Sequence, residues 1–189
     1  MADTVDALSA LRRGTHDLHQ RLEALPLFAC LLSAAVSRDD YVRALSALQG
    51  LYAGLETELI HGLQQHAPDY PYFPRLPLLQ QDLAQLGSTP ALNPGLPPVP
   101  IDGMAATLGT LYVIEGSILG GKLLKSHLHS RLGETVASAL AFYGLDGHWD
   151  VTQALLRDNL STLDAIGQAV AAARQAFLLF IDVAEDGAS

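Results

Sequence analysis

Three side chains on the first predicted helix have the types and spacing to hold a metal-bearing ligand. His19 lies in the segment LRRGTHDLHQRLE, with Glu23 one helical turn after it and Arg12 about two turns before it. At about 100° per residue, His19 lies roughly 60° from the centre of the leucine stripe, whereas His16 is about twice as far away and points more toward water. Glu23 can hold one ring nitrogen and leave the other free for a metal, and Arg12 can pair with a ligand carboxylate. The same spacing is also typical of the polar flank of an ordinary amphipathic helix.

A second unusual segment is GTLYVIEGSILGGKLL, residues 109–124, which has the composition of a helix but contains several glycines. Gly109, Gly116 and Gly120 fall within about 40° of one another around such a helix and form a stripe without side chains. Two interpretations are open: close packing against another helix, or a surface on which a planar ligand lies. The adjacent Gly120 and Gly121 also predict a kink.

Helical periodicity extends through most of the chain. Ser37, followed by acidic residues, is a typical start of the second long helix. Two proline-rich connections, HAPDYPYFPRLP and STPALNPGLPPVP, flank a short helix in LPLLQQDLAQL, and we find no convincing strand and no internal repeat. We therefore predict one all-α domain over residues 1–189. The other predicted helices are 6–24, 38–66, 103–131, 134–143, 149–164 and 165–184.

The composition of the chain argues against several classes of protein. The net charge is −9, from 11 Lys and Arg against 20 Asp and Glu, which argues against a general nucleic-acid-binding protein. Cys30, the single cysteine, excludes an internal disulfide, and its apolar surroundings predict a buried, inert thiol. Charged residues interrupt the most apolar stretches, and the first residues do not resemble a secretion signal. We expect a cytoplasmic protein without a membrane span.

Several segments, in order and spacing, resemble the heme oxygenase family over nearly the whole chain. LRRGTHDLHQRLE resembles the family's proximal helix, and LYVIEGSILGG is similar to the glycine-rich distal helix of the bacterial branch found with bacteriophytochromes. YPYFP followed by LQQDL matches the family's linker, and LLRDNLSTL and ARQAFLLF resemble the last two helices. The resemblance implies an all-helical bundle with heme between the first helix and a kinked, glycine-rich helix.

The resemblance also assigns roles to particular residues. It places the heme-iron ligand at His19, with Glu23 beside it, and the catalytic distal positions at Gly116, Ser117 and Gly120. The remaining implied heme-binding residues are Arg12, Tyr112, Gly121, Arg157 and Phe177. Arg12 and Arg157 are expected to hold the propionates.

The sequence departs from the family pattern at two positions. Many members have an aspartate directly after the glycine that matches Gly116, where it orders water, but this chain has Ser117. Tyr112 is shifted by one position relative to the family's propionate-side tyrosine. The groups that deliver protons are therefore left open, and Glu115 is expected to point to a different face.

The activity implied by the resemblance is cleavage of heme to biliverdin, ferrous iron and carbon monoxide, with heme as both cofactor and substrate. Electrons are expected from an external ferredoxin or flavin reductase, because the sequence carries no GxGxxG motif after a strand. A bacteriophytochrome is an implied recipient of biliverdin. The expected docking surface for the reductant is a local basic cluster, formed by Arg12, Arg13, Lys122, Lys125, His127 and His129.

Other classes of protein remain open at this point. Ser117 in place of the acid permits a heme carrier or sensor that does not turn over. A thiaminase-like enzyme on the same architecture needs a nucleophilic cysteine beside acids, and Cys30 has no acid close in sequence. A protein-interaction module without heme affinity is the simplest alternative.

Overall fold

The structure is a computed structural model that describes residues 6–88 and 97–186. Within these ranges the chain is helical and contains no strand, which confirms the predicted all-α fold. The helices are α1 (Ala7–Ala24), α2 (Pro26–Ala29), α3 (Arg38–His66), α4 (Leu76–Gln85), α5 (Gly103–Leu132), α6 (Trp149–Asn159) and α7 (Leu163–Asp186). Short 3-10 turns follow α2 and α5, at Cys30–Leu32 and Gly133–Thr135.

Side-chain caps fix where the first long helices begin. Asp6 accepts a hydrogen bond from the backbone nitrogen of Ser9 at 3.1 Å and so caps α1. Ser37 and Asp40 form a reciprocal capping box at the start of α3, where the sequence predicts that this helix begins. These bonds satisfy backbone donors that have no partner within the helix.

The last helix, α7, packs mainly against α5 and α1. Among the described residues, α7 is the one helix long and apolar enough to cross a membrane by length and composition. Its apolar face, which includes Ala169, Ala173 and Ile181, is buried in the core.

The predicted helix over 134–143 is wrong. The structure has the 3-10 turn there, followed by irregular turns, and Gly133 ends α5 with a φ of 54°. The buried Asp82 on α4 accepts hydrogen bonds from the backbone nitrogens of Ala141 and Phe142, at 3.0 and 2.8 Å. Because a side chain from another helix satisfies these donors, the segment does not need helical hydrogen bonds.

The structure differs from one predicted helix boundary and leaves two other predictions untested. The helix predicted over 149–164 ends at Asn159, and α7 begins at Leu163. Residues 1–5 and much of the second proline-rich connection, 89–96, lie outside the described residues. α5 runs without interruption from Gly103 to Leu132, so the kink at Gly120 remains a prediction.

Candidate functional site

A cavity of about 530 Å³ lies between α1, α5 and α7, with α3 and the segment before α6 completing its walls. This volume is within the range of small-molecule and cofactor sites. From α1 the lining side chains are Arg12, Thr15, His16, His19, Leu22 and Glu23. From α5 the lining residues include Tyr112, Gly116, Ser117, Gly120 and Gly121. We call these two sets the α1 wall and the α5 wall.

His19 lies in the α1 wall in an orientation suited to metal ligation. Its Nδ1 lies 3.4 Å from a carboxylate oxygen of Glu23, which leaves Nε2 for another partner. The His19 ring meets the edge of Phe177 from α7, with 5.8 Å between ring centroids. His16 lines the same cavity and is exposed to solvent, so its direction toward water does not keep it away from this site.

Arg12 and Tyr112 lie at one side of the cavity, close to Thr15. Burial raises the pKa of Tyr112, while the Thr15 hydroxyl and the Arg12 charge act in the opposite direction. Tyr112 also packs against Trp149, with 5.8 Å between ring centroids. This corner therefore combines a cation with a phenol donor, which suits a ligand carboxylate.

The glycines of α5 differ in what surrounds them, and each of the two interpretations, close helix packing and a surface for a planar ligand, fits some of them. A Cβ on Gly109 would lie 2.1 Å from the backbone oxygen of Ala169, so this glycine allows α5 to pack closely on α7. A Cβ on Gly116 would only touch Trp149 at 3.8 Å, and one on Gly120 would meet nothing within 4 Å. The second part of the stripe therefore leaves bare backbone along the cavity.

Ser117 borders the cavity, and its hydroxyl proton is engaged in a hydrogen bond within its own helix. Its Oγ donates a hydrogen bond to the backbone oxygen of Ile114 at 2.7 Å. The hydroxyl oxygen keeps its capacity to accept a hydrogen bond. Ser117 thus brings a neutral hydroxyl to the edge of the cavity, whereas an ionised aspartate at this position would add a negative charge.

A buried ion pair behind the α5 wall was not predicted. Arg75 and Glu115 have side chains that are 2% and 1% exposed, and the Arg75 Nη2 donates to Glu115 at 2.5 Å. Glu115 also accepts from the backbone nitrogen of His148 at 3.1 Å. Glu115 does point to a face other than the cavity, as expected, but Arg75 itself lines the cavity. An arginine between two prolines, and a glutamate in the most apolar helix, were the available signals.

Two other residues singled out in the sequence lie elsewhere. Arg157 does not line the cavity, and its Nη2 donates to Gln153 on the same helix at 2.9 Å. Cys30 is half-buried, not fully buried as expected, and burial raises the pKa of its thiol. Cys30 does not line the cavity either, so the chain offers no activated thiol at this site.

Comparisons with known proteins agree with this geometry. The sequence pattern of the family described as "Heme oxygenase" matches residues 5–92. A heme oxygenase from Xanthomonas campestris pv. campestris (strain 8004) is 33% identical over 150 residues, which are 77% of this chain and 88% of that protein. The chain belongs to the heme oxygenase family.

Solved structures of heme oxygenases share its fold. The Neisseria meningitidis heme oxygenase, solved with NO and CO bound, is 25% identical with a TM-score of 0.75, covering 97% of this chain and 92% of that one. The Leptospira interrogans heme oxygenase is 19% identical with a TM-score of 0.77, covering 96% and 100%. The all-helical bundle is therefore the family's fold.

Proposed function

We propose that this heme oxygenase cleaves heme with dioxygen and an external reductant to biliverdin, ferrous iron and carbon monoxide. The observation that carries the proposal is that His19 and the bare backbone of Gly116 and Gly120 border one cavity. When bound, heme supplies the redox chemistry at its iron and is also the molecule that is opened. The protein must hold the ring, orient it and supply protons.

The cavity fits such a ligand. Aromatic and aliphatic side chains such as Leu48, Phe142 and Phe177 line it, which suits a planar apolar ring. We propose that His19 ligates the iron through Nε2, since Glu23 lies against Nδ1. A neutral imidazole ligand lacks the electron push that a thiolate supplies toward O–O cleavage.

The polar corner formed by Arg12 and Tyr112 offers partners that would orient the ring. We propose that Arg12 and Tyr112 hold the propionates and so fix which ring edge faces the α5 wall. Arg157 can contribute only if its side chain leaves Gln153, so Arg12 is the main cation of this proposal. On the opposite wall, Gly116, Gly120 and Gly121 let the backbone approach the ring closely.

Replacing His19 tests the ligand assignment. We expect His19→Ala to abolish biliverdin formation while changing the unfolding free energy by no more than about 1 kcal/mol, because the side chain is 56% exposed. The measurement is hemin titration followed by reduction in air, read by absorption spectroscopy. A heme carrier would keep its Soret band under reduction, whereas an oxygenase loses it to a biliverdin spectrum.

His16→Ala is the matched control, because His16 lines the same cavity from the same helix. We expect this variant to retain turnover, and added imidazole to restore turnover in His19→Ala. Biliverdin formation by His19→Ala without imidazole would exclude His19 as the ligand. Loss of turnover in His16→Ala alone would transfer the assignment to His16.

We also propose that the electrons come from a ferredoxin or flavin reductase in the cytoplasm, and that a bacteriophytochrome receives the biliverdin. The proposed docking surface includes Lys122, whose Nζ lies 2.9 Å from Asp146, and Lys125. Reversing both charges, in Lys122→Glu with Lys125→Glu, is expected to slow reductase-driven turnover about tenfold at low salt. Ascorbate-driven turnover is the control and should not change. Equal reductase-driven rates would exclude this surface.

A further inference from the structure

Trp149, the single tryptophan of the chain, closes one end of the α5 wall. Its side chain lines the cavity and lies against the helix at Gly116, where an added Cβ would be 3.8 Å from the indole ring. The indole also contacts the ring of Tyr112, with 5.8 Å between centroids and 48° between the ring planes. Tyr112 and Gly116 are one helical turn apart, so a single side chain covers this turn of the α5 wall.

The next turn of α5 is open by contrast. Gly120 lies four residues after Gly116, about 6 Å further along the helix axis. Apart from its own helix, a Cβ there would meet none of the described residues within 4 Å. Leu119 lines the cavity beside it, but this residue is 56% exposed. A planar ligand between the two walls therefore meets a bulky side chain at Gly116 and bare backbone at Gly120.

The backbone before Trp149 is fixed against α5, so the indole cannot move aside freely. The backbone nitrogen of His148 donates to Glu115 at 3.1 Å. A Cβ on Gly147 would lie 2.7 Å from Ile118 and 2.9 Å from Glu115, so the missing side chain lets this segment lie directly on α5. Trp149 follows as the first residue of α6. Its ring is thus held at the cavity by the backbone on both sides.

These contacts bear on how a ring-shaped ligand is seated. A porphyrin is nearly square, so the cavity has to select one rotation of the ring in its own plane. Arg12 and Tyr112, the proposed propionate partners, hold one edge only, and Arg12 is exposed, where water weakens ionic contacts. A bulky side chain adds a steric limit, because overlap with a packed group costs more than one lost surface contact.

We propose that Trp149 is a specificity-determining residue that restricts the heme ring to one seating in the cavity. The indole supports Tyr112 and fills the space beside Gly116, so the same ring edge always faces the bare backbone at Gly120. The biliverdin isomer records which bridging carbon of the ring is cleaved, so one seating gives one isomer. The inference rests on the proposed function and adds the choice of carbon to it.

The first test measures the seating of the ring without turnover. The probe is a hemin in which methyl groups replace both vinyl groups, because this molecule is symmetric about the axis between its propionates and inserts identically with either face. We expect the proton NMR spectrum of its ferric cyanide complex to show one set of ring-methyl signals for the wild-type protein. Trp149→Leu should add a second set, at no less than about a tenth of the total population, because it opens the space beside Gly116.

The second test measures the product with ordinary hemin. Turnover is driven by ascorbate, and the biliverdin isomers are separated by chromatography. The wild-type protein should form one isomer, whereas Trp149→Leu should raise the share of a second isomer at least about tenfold. If the leucine variant does not fold, Trp149→Met retains more volume and is expected to give the same second signal set and second isomer.

Thr152→Val is the matched control for a general loosening of α6. The buried Thr152 hydroxyl lies 2.7 Å from the Tyr70 hydroxyl and donates to the backbone oxygen of His148 at 3.0 Å, and Thr152 does not line the cavity. Valine keeps the shape and removes these bonds, so the melting temperature should fall while one signal set and one isomer remain. A second isomer in Thr152→Val would overturn the role of Trp149, because loosening of α6 would then suffice.

The outcomes separate this inference from the proposed function. Wild-type protein that binds no hemin, or forms no biliverdin, would overturn the proposed function and the inference with it. Biliverdin formation with an unchanged isomer and one signal set in Trp149→Leu would overturn only the role of Trp149. Two signal sets in the wild type, or a second isomer without a second signal set in the variant, would also overturn it, because the choice of carbon would then not depend on the seating.

Discussion

The two parts of α5 use the same residue type for opposite purposes. Near the beginning of α5, Gly109 is buried against the backbone of α7. A Cβ at this position would lie only 2.1 Å from the backbone oxygen of Ala169. Two turns and more along the helix, Gly116 and Gly120 face the cavity, and a Cβ on Gly120 would touch nothing. The first glycine is needed by the fold. The later ones leave bare backbone along the cavity, as their proposed role in heme binding requires.

This difference explains why an apolar helix accepts so many glycines. Each one costs about 0.5–1 kcal/mol of helix stability relative to alanine. At Gly109 the close packing of α5 on α7 offsets that cost within the folded protein. At Gly120 no contact with the described residues offsets it, and the proposed role in heme binding would account for the glycine instead. The two positions should therefore respond to the same substitution with opposite signs of stability.

Gly109→Ala is the prediction with the largest expected effect on stability. The new methyl group would collide with backbone, which cannot rotate away as a side chain can, so α5 and α7 must separate. We expect the unfolding free energy to fall by about 3 kcal/mol, the upper range for overpacking, partly offset by better helix propensity. Chemical denaturation followed by circular dichroism measures this change.

The control for Gly109→Ala is the same substitution at a glycine of α7, the helix that packs against α5. Gly167 lies on α7, where a Cβ would have nothing within 4 Å. Gly167→Ala should leave stability unchanged or raise it by up to about 1 kcal/mol. Equal stability of Gly109→Ala and Gly167→Ala would show that close approach to α7 does not explain Gly109.

Most helices and most residues that line the cavity could be predicted from the sequence, because helix periodicity and capping depend on neighbouring residues. Periodicity and the Ser37 start signal predict α3 with the bounds that the structure has. All but one of the residues assigned to the site by resemblance line the cavity, although their roles remain proposals. Arg157 is the exception, because its local partner Gln153 lies one turn away on the same helix.

The features that were missed depend on contacts between distant parts of the chain. The turns at 134–143 follow from two hydrogen bonds to Asp82, which is about sixty residues away and carries no local signal. The ion pair of Arg75 with Glu115 joins a proline-rich connection to α5 in the same manner.

Gly120→Ala has the smallest expected effect on the fold and gives the sharpest contrast with Gly109→Ala. Gly120 is exposed within a helix, so alanine should raise the unfolding free energy by up to about 1 kcal/mol. The added methyl group nevertheless projects into the space proposed for heme, so we expect weaker hemin binding and slower biliverdin formation. Gly167→Ala shares the gain in stability without touching the cavity. Thermal unfolding and hemin titration on both variants separate the gain in stability from the loss of hemin binding. Unchanged hemin affinity in Gly120→Ala would mean that the bare backbone at this position is not in contact with the ring.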